Sequence, residues 1–210
     1  MAIIHRADLR PTKLELVGGW VPTRPWGGAA AGAGLQQVAA YRFDDPEGEV
    51  GVETFVVRAG DGSLRQVPLT YRGAPAPGQE AYLVGTMEHS VLGRRWVYDA
   101  CGDPVYVAAL AGALLAGSPQ AEEFVEVDGT PERREPSARV TGSGSAGEVG
   151  PLESPVVTDS ADATTVCAGD LELVVRRVLD LTATATGAML TGTWAGQPEP
   201  VLLATARCAQ

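Results

Sequence analysis

Four polar residues near the middle of the chain are of types that hydrolases use. Glu88, His89 and Ser90 are consecutive, and Asp99 follows shortly after them. A serine, a histidine and a carboxylate form a nucleophilic triad when the fold aligns their hydrogen bonds. Ser90 does not lie in a G-x-S-x-G turn, which exposes the nucleophile in many hydrolases. We therefore interpret this segment as a surface loop that hydrogen bonds of Glu88 and His89 hold in place.

The segment Arg94–Asp99 carries two arginines beside two aromatic residues. On a strand, Arg94, Trp96 and Tyr98 would lie on one face and the intervening residues on the other. An arginine stacked on an aromatic ring can contact a sugar or a protein, and it can equally brace the core. Core bracing is the simpler interpretation, and a contact surface is the alternative. The residues predicted for that surface are Glu88, His89, Arg94, Arg95, Trp96 and Trp26.

Other patterns that could bind a phosphate or a metal ion lack the required spacing. The run Gly142–Gly150 has no G-K-[ST] ending, and Pro151 would interrupt the helix that must follow a phosphate-binding loop. The acidic turn Asp44–Glu49 lacks the spacing of a calcium loop, and two histidines, His5 and His89, are too few for a typical zinc site. We therefore predict no catalytic residue, no metal site and no cofactor, and we interpret the glycine-rich run as a linker.

The composition limits the possible partners. The 210 residues carry a net charge of −10 and a pI of about 4.6, which disfavours nucleic acid and anionic membrane surfaces. The chain has one lysine, Lys13, against fifteen arginines, so any role that requires a lysine amine falls to Lys13. The cysteines Cys101, Cys167 and Cys208 contain no C-x-x-C pair. Together with a charged N-terminal segment unlike a signal peptide, these features predict a cytoplasmic protein.

The segment Val105–Ala116 contains no charged residue, which predicts a helix that is buried on nearly all sides. Asp103 suits its N-cap, Pro104 its first position and Gly117 its end. The segment is shorter than the about 20 residues that a membrane span needs. The residues predicted to form a hydrogen-bonded corner before this helix are Tyr98, Asp99 and Asp103.

Around this helix the sequence favours short β-strands separated by turn residues, after a first helix at Thr12–Trp20. The turn at Gly60–Gly62 predicts a tight hairpin, and Pro68 in the following strand indicates an edge or a bulge. The residues therefore predict an α+β fold, an antiparallel meander with one buried helix in its first half. The predicted strands are Ile3–Ile4, Leu35–Phe43, Val50–Arg58, Leu64–Tyr71, Glu122–Val127, Pro155–Val157, Thr164–Cys167, Leu171–Val178, Met189–Trp194 and Val201–Ala206.

Several segments resemble, in order, the N-terminal cap of actinobacterial maltokinases, and most closely the stand-alone relatives that consist of cap-like sequence. These segments are Gly19-Trp20, Arg24–Trp26, Gln66–Tyr71, Val84–Thr86 and Val97–Ala100. Downstream, Pro155–Asp159 and Leu171–Val178 look like the first strands of that family's kinase N-lobe. The resemblance implies a curved antiparallel β-sheet around the buried helix, followed by a small β-rich subdomain of the N-lobe type. The implied domains are residues 1–118 (cap-like), 119–154 (a strand plus a flexible Gly/Ser-rich linker) and 155–210 (the β-rich subdomain).

The resemblance also implies a metabolic context, because maltokinases phosphorylate maltose with ATP and feed trehalose into α-glucan synthesis. In that family a lysine in an N-lobe strand that matches Leu171–Arg177 meets the ATP phosphates, and Leu173 stands at this position here. A leucine neither positions a phosphate nor neutralises its charge. The chain also ends at Gln210, before a kinase C-lobe. We therefore expect a non-catalytic accessory protein whose partner is a protein of trehalose, maltose or glycogen metabolism.

Two other functions stay open from the sequence. A carbohydrate-binding module for maltose or an α-glucan would expose Trp26, Trp96 or Trp194 on one face of a sheet. An enzyme of α-glucan metabolism, such as a branching protein or a maltokinase-like enzyme, would need paired carboxylates in a deep cleft. The acidic residues of this chain lie mainly in predicted turns, which disfavours the enzyme.

Overall fold

The structure is a computed structural model, and its described part consists of residues 2–4, 7–28, 34–127, 129–145, 149, 152 and 155–208. His5 and residues 146–148 and 150 of the glycine-rich run lie outside this part. Its helices are α1 (Lys13–Trp20) and α2 (Pro104–Ala111). Its strands are β1 (Ala2–Ile4), β2 (Leu9–Arg10), β3 (Gln36–Phe43), β4 (Gly51–Arg58), β5 (Leu64–Arg72), β6 (Leu83–His89), β7 (Gly93–Asp99), β8 (Glu123–Val127), β9 (Thr130–Arg134), β10 (Ala138–Gly142), β11 (Val156–Asp159), β12 (Ala163–Ala168), β13 (Leu171–Arg176), β14 (Val178–Leu179), β15 (Ala188–Trp194) and β16 (Gln197–Cys208).

The described strands form three sheets. The seven-stranded sheet has the order β2-β6-β7-β5-β4-β3, with β14 paired to one end of β5. The six-stranded sheet has the order β10-β15-β16-β13-β12-β11, and a small sheet joins β1, β8 and β9. Neighbouring strands are antiparallel except for β1 and β8. The predicted α+β fold with antiparallel sheets is therefore confirmed.

The charge-free helix α2 lies at the centre of the packing. Asp103 caps it by accepting a hydrogen bond from the backbone N of Val105 at 3.0 Å, and Pro104 occupies the first turn. The helix continues as a π-helical turn, Gly112–Ala116, and stops at Gly117, whose φ of 67° is left-handed. Side chains of α2 and of both large sheets share one apolar core. The predicted buried helix is therefore confirmed.

Helix α1 packs on the other face of the seven-stranded sheet. Thr12 and Glu15 form a capping box in which Glu15 Oε2 accepts from the backbone N of Thr12 at 2.7 Å. Val17 of this helix joins a second apolar core with Trp26 and Phe55. The seven-stranded sheet thus has one helix against each face.

Pro68 lies inside β5, which is an interior strand of the sheet. On the side away from β4, β14 pairs with Leu64 and Arg65, and β7 pairs with Leu69–Arg72. Because Gln66 donates its backbone N–H on this side and hydrogen-bonding directions alternate, the nitrogen of Pro68 faces the gap between the two partners. The ring therefore removes no ladder hydrogen bond, and the expectation of an edge or a bulge is wrong.

Strands β9 and β10 were not predicted, because they lie in the segment 119–154, for which the sequence predicted one strand and a linker. β9 is exposed along its whole length, and Arg133 pairs with Glu122 of the preceding segment at 3.2 Å. β10 pairs with β15 at one edge of the six-stranded sheet. Cross-strand pairing of charges, rather than apolar alternation, holds β9. The division of the chain into three domains stays a prediction.

Candidate functional site

The residues predicted for a contact surface lie mainly on the β6–β7 hairpin, but on its two opposite faces. On the outer face, Arg94 Nε donates to Glu88 Oε1 at 2.7 Å, and both side chains are exposed. Trp96 lies on the same face and is half-buried. His89 and Arg95 lie on the inner face, which also carries α1. The predicted surface is therefore divided between two sides of one hairpin.

The tip of the hairpin is held from the inner face. His89 Nδ1 accepts hydrogen bonds from the backbone N of Val91 at 3.2 Å and of Leu92 at 3.1 Å. Arg95 Nη2 donates to the backbone O of Leu92 at 3.0 Å. The side chains of Val91 and Leu92 are 56% and 43% exposed. The tip therefore presents two apolar side chains on a hydrogen-bonded turn.

A cavity of about 420 Å³ lies beside the inner face of the hairpin. This volume is within the range of about 300–1,000 Å³ that is common for small-molecule sites. Its lining combines cationic, acidic and apolar or aromatic side chains with one histidine. The main lining residues, in that order, are Lys13, Arg42 and Arg95; Asp44, Asp45 and Glu49; Leu9, Phe43, Val50, Val52, Tyr71, Met87 and Leu92; and His89.

The buried carboxylate of Glu53 lies behind the cationic part of the cavity. It accepts hydrogen bonds from Lys13 Nζ at 2.5 Å, from Arg42 Nη2 at 2.6 Å and from the Tyr71 hydroxyl at 3.1 Å. Lys13 Nζ also lies 4.9 Å from the ring centre of Tyr71 and 5.6 Å from that of Phe55. Two cations thus share one carboxylate, and the lone lysine of the chain is held by an ion pair and two rings.

The same cluster shifts the pKa values of its acidic groups. Burial alone would raise the pKa of Glu53, but the charges of Lys13 and Arg42 outweigh it, and the pKa lies below the ordinary value. Burial, reinforced by the charge of Glu53, raises the pKa of Tyr71 well above its usual range. At neutral pH Glu53 is therefore ionised and Tyr71 is a hydrogen-bond donor.

A smaller cavity of about 230 Å³ shares Lys13 and Arg42 with the first. Glu123 of the three-stranded sheet lines it and is 5% exposed. Burial raises the pKa of Glu123, against the opposing effect of Arg42, and Arg134 lies 3.9 Å from its carboxylate. Both cavities therefore border the same pair of cations.

The residues of the predicted corner each make hydrogen bonds at the ends of β7 and α2. The Tyr98 hydroxyl accepts from the backbone N of Ala76 at 2.9 Å. Asp103 accepts from Arg72 Nε at 2.9 Å and from Arg72 Nη2 at 2.8 Å, in addition to capping α2. Asp99 is 2% exposed and accepts from Arg177, so it does not form a triad with the exposed turn at Ser90.

Arg177 links the two large sheets. It is 0% exposed, and its Nη2 donates to both carboxylate oxygens of Asp99 at 2.6 Å. Its Nε donates to Thr164 Oγ1 at 2.7 Å, and the Thr164 hydroxyl donates to Asp159 at 2.6 Å. The guanidinium carbon lies 4.6 Å from the ring centre of Trp26. Burial alone would lower the pKa of Arg177, but the charge of Asp99 outweighs it, so the pKa of Arg177 lies above its ordinary value.

Two tryptophans that a sugar could have used are buried. Trp26 is 1% exposed beneath Arg177, and Trp194 is 8% exposed in the six-stranded sheet. The expectation that Trp26 joins the contact surface is therefore wrong, because its ring is part of a core. Leu173 is 0% exposed in the middle of β13, in the core around α2.

Sequence reasoning missed the cluster at Glu53, Arg42 and Tyr71. One signal was present, because Glu53 interrupts an otherwise apolar strand, and glutamate is rarely buried unless it is paired. The partners could not be inferred, since Lys13 and Arg42 come from a helix and a neighbouring strand. Among the described residues, no group of His, Cys, Asp and Glu side chains is placed to hold a metal ion. None of the described helices is both long and apolar enough to cross a membrane.

The fold is similar to part of a sugar kinase. A solved structure described as glucosamine kinase in complex with glucosamine, ADP and inorganic phosphate has 18% identity and a TM-score of 0.50. The match covers 95% of this chain and 41% of that one, so the chain spans about two fifths of the kinase. A second structure, glucosamine kinase in crystal form A, has 16% identity and a TM-score of 0.45, with 95% and 42% covered. At this identity the likeness concerns the fold alone.

Within this fold, residues 20–103 match the family model of the maltokinase N-terminal cap domain. The resemblance inferred from the sequence is therefore confirmed over that segment, which runs from the end of α1 to the N-cap of α2. No curated protein matches the chain.

Proposed function

We propose that this protein is a non-catalytic, cap-like accessory protein that binds an enzyme of trehalose, maltose or α-glucan metabolism. The match of residues 20–103 to the maltokinase N-terminal cap carries the proposal. The burial of Leu173 supports its non-catalytic part, because a leucine in a packed core offers no charge to a nucleotide phosphate.

The surface that we assign to the partner is the outer face and tip of the β6–β7 hairpin. Five large apolar side chains are exposed in the described part of the chain, and Leu83, Val91 and Leu92 belong to this hairpin. Val91 and Leu92, at the tip, lie next to the exposed ion pair of Glu88 and Arg94, and Leu83 lies at the base of the hairpin. A cluster of exposed apolar side chains beside a polar rim is typical of protein interfaces. Of the tryptophans that a sugar could stack on, Trp26 and Trp194 are buried, and Trp96 is half-buried on the outer face.

The partner is tested in two steps. The full chain is used to purify its partner from the native host, and the purified partner is then titrated with the wild type, Val91→Asp, Arg94→Glu and Arg139→Glu. Arg139 is the matched control, because it is an exposed arginine paired with a glutamate on the six-stranded sheet. We expect the first two variants to bind at least about tenfold more weakly and the control to bind as the wild type does. Equal binding by all four proteins contradicts the surface, and a partner outside carbohydrate metabolism contradicts the function.

The non-catalytic part is tested separately by calorimetry with Mg-ATP, alone and together with maltose or glucosamine. We expect no heat of binding for the nucleotide. Micromolar ATP binding would contradict this part of the proposal, and release of ADP in the presence of either sugar would show that the protein is a kinase.

A further inference from the structure

We propose that the 420 Å³ cavity beside the β6–β7 hairpin binds a small phosphorylated polyol, with its phosphate at Arg95 and its hydroxyl groups at the acidic loop 44–49. The proposal does not depend on the accessory function, because it concerns the inner face of the hairpin. It follows from two features of the lining, the guanidinium of Arg95 on β7 and the acidic loop between β3 and β4.

Two of the three cationic groups in the lining are already paired. Lys13 and Arg42 share the carboxylate of Glu53, and Glu123 borders the same two cations in the smaller cavity. The Tyr71 hydroxyl donates to the same carboxylate, so three donors already occupy Glu53. Arg95 lies on β7, apart from this pair, and within the described part of the chain it forms no ion pair.

The guanidinium of Arg95 is held in place and incompletely satisfied. Its Nη2 donates to the backbone O of Leu92 at 3.0 Å, whereas its Nε is buried without a hydrogen-bond partner among the described residues. The guanidinium packs closely against Gly73, where a Cβ would lie only 3.0 Å from Arg95 Nη1. The planar N–H groups of arginine match the oxygens of a phosphate, and a buried donor gains free energy when it is paired.

The acidic loop 44–49 favours a part of the ligand that carries hydroxyl groups. Asp45 accepts hydrogen bonds from the backbone N of Glu47 at 3.1 Å, of Glu49 at 3.0 Å and of Val50 at 2.8 Å, which fixes the loop. Glu49 is exposed and lines the cavity, so its negative charge lies at the cavity wall. Carboxylates accept hydrogen bonds from hydroxyl groups, and they repel a second phosphate on the ligand. The best ligand therefore carries a single phosphate at one end and hydroxyl groups at the other. Leu9 is half-buried and Leu92 is exposed, and both offer apolar surface for its carbon skeleton.

Calorimetric titration of the full chain with glucose 6-phosphate, inorganic phosphate and glucose tests the ligand class. We expect glucose 6-phosphate to bind at least about tenfold more tightly than either of the other two. Equal binding of inorganic phosphate overturns the polyol part of the proposal, and equal binding of glucose overturns the phosphate part. No binding of glucose 6-phosphate at millimolar concentration overturns the whole.

Two variants locate the phosphate. Arg95→Gln removes the charge from the inner face, and Arg94→Gln removes the charge of the adjacent arginine from the outer face. We expect Arg95→Gln to weaken binding of glucose 6-phosphate at least about tenfold and Arg94→Gln to leave it within about twofold. Equal losses in both variants overturn the assigned position. If Arg95→Gln does not fold, Glu49→Gln at the exposed loop serves instead, and it must weaken binding of glucose 6-phosphate but not of inorganic phosphate.

Discussion

Replacement of Arg177 by methionine is expected to destabilise the fold strongly. The change removes both hydrogen bonds to Asp99, the one to Thr164 and the contact with the ring of Trp26, and it leaves a carboxylate that is 2% exposed without its cation. Loss of one partner from a buried ion pair costs about 3–5 kcal/mol. We expect a loss of about 4 kcal/mol in the free energy of unfolding, or about 8–16 °C in Tm for a chain of this size.

Urea unfolding followed by tryptophan fluorescence measures this loss, and a double-mutant cycle with Asp99→Asn assigns its cause. The double variant is expected to regain about 2 kcal/mol, because the buried charge is removed together with its partner. Arg207→Met is the matched control, since the Arg207 side chain is 74% exposed in its ion pair with Glu172, and it should cost less than about 1 kcal/mol. A cost below about 1 kcal/mol for Arg177→Met, or additive effects in the cycle, would refute the reasoning.

Three further changes test other parts of the fold. Gly102→Ala should lower the free energy of unfolding by about 1–3 kcal/mol, because the new Cβ would lie 2.3 Å from ring carbons of Tyr82. An unchanged Tm in thermal unfolding would mean that this ring moves freely. Asp103→Ala should cost about 2 kcal/mol, because α2 loses its cap and Arg72 its partner, and helix content measured by circular dichroism at intermediate urea should fall earlier than in the wild type. Glu123→Gln should stabilise the protein at pH 7 but not at pH 3.5. Because the folded-state pKa of Glu123 is raised, its contribution to stability is complete below the unfolded-state pKa and is lost as the pH rises through the folded-state pKa, and glutamine does not undergo this loss. Equal gains in the free energy of unfolding at both pH values would contradict the raised pKa.

The sequence predicted the centre of the fold better than its periphery. The segment that forms α2 has no charged residue, and Asp103, Pro104 and Gly117 mark its ends, so local chemistry and burial agree. β9 was missed because its residues, Thr130–Arg134, are mostly polar or charged and show no alternation in hydrophobicity. Pro68 was misjudged because the gap between β7 and β14 is created by a strand far away in the chain.

The candidate site was predictable only in part. Alternation along β7 placed Arg94 and Arg95 on opposite faces, as the structure has them. Which face borders a cavity depends on where α1 and the loop 44–49 pack, and no periodicity in β7 encodes that. Trp26 was assigned to a surface because a tryptophan can stack on a sugar as well as pack in a core, and the deciding partner, Arg177, is distant in sequence.

The placement of α2 between the two large sheets has a consequence for synthesis of the chain. The helix ends by residue 116, whereas the core residues Leu190, Val201 and Leu203 that cover one of its sides belong to β15 and β16. At about 5–20 residues per second, the ribosome adds those strands on the order of ten seconds after the helix has been made. During that interval an uncharged helix lacks part of its cover, so a nascent chain paused before β15 should be a preferred substrate for chaperones that bind apolar segments.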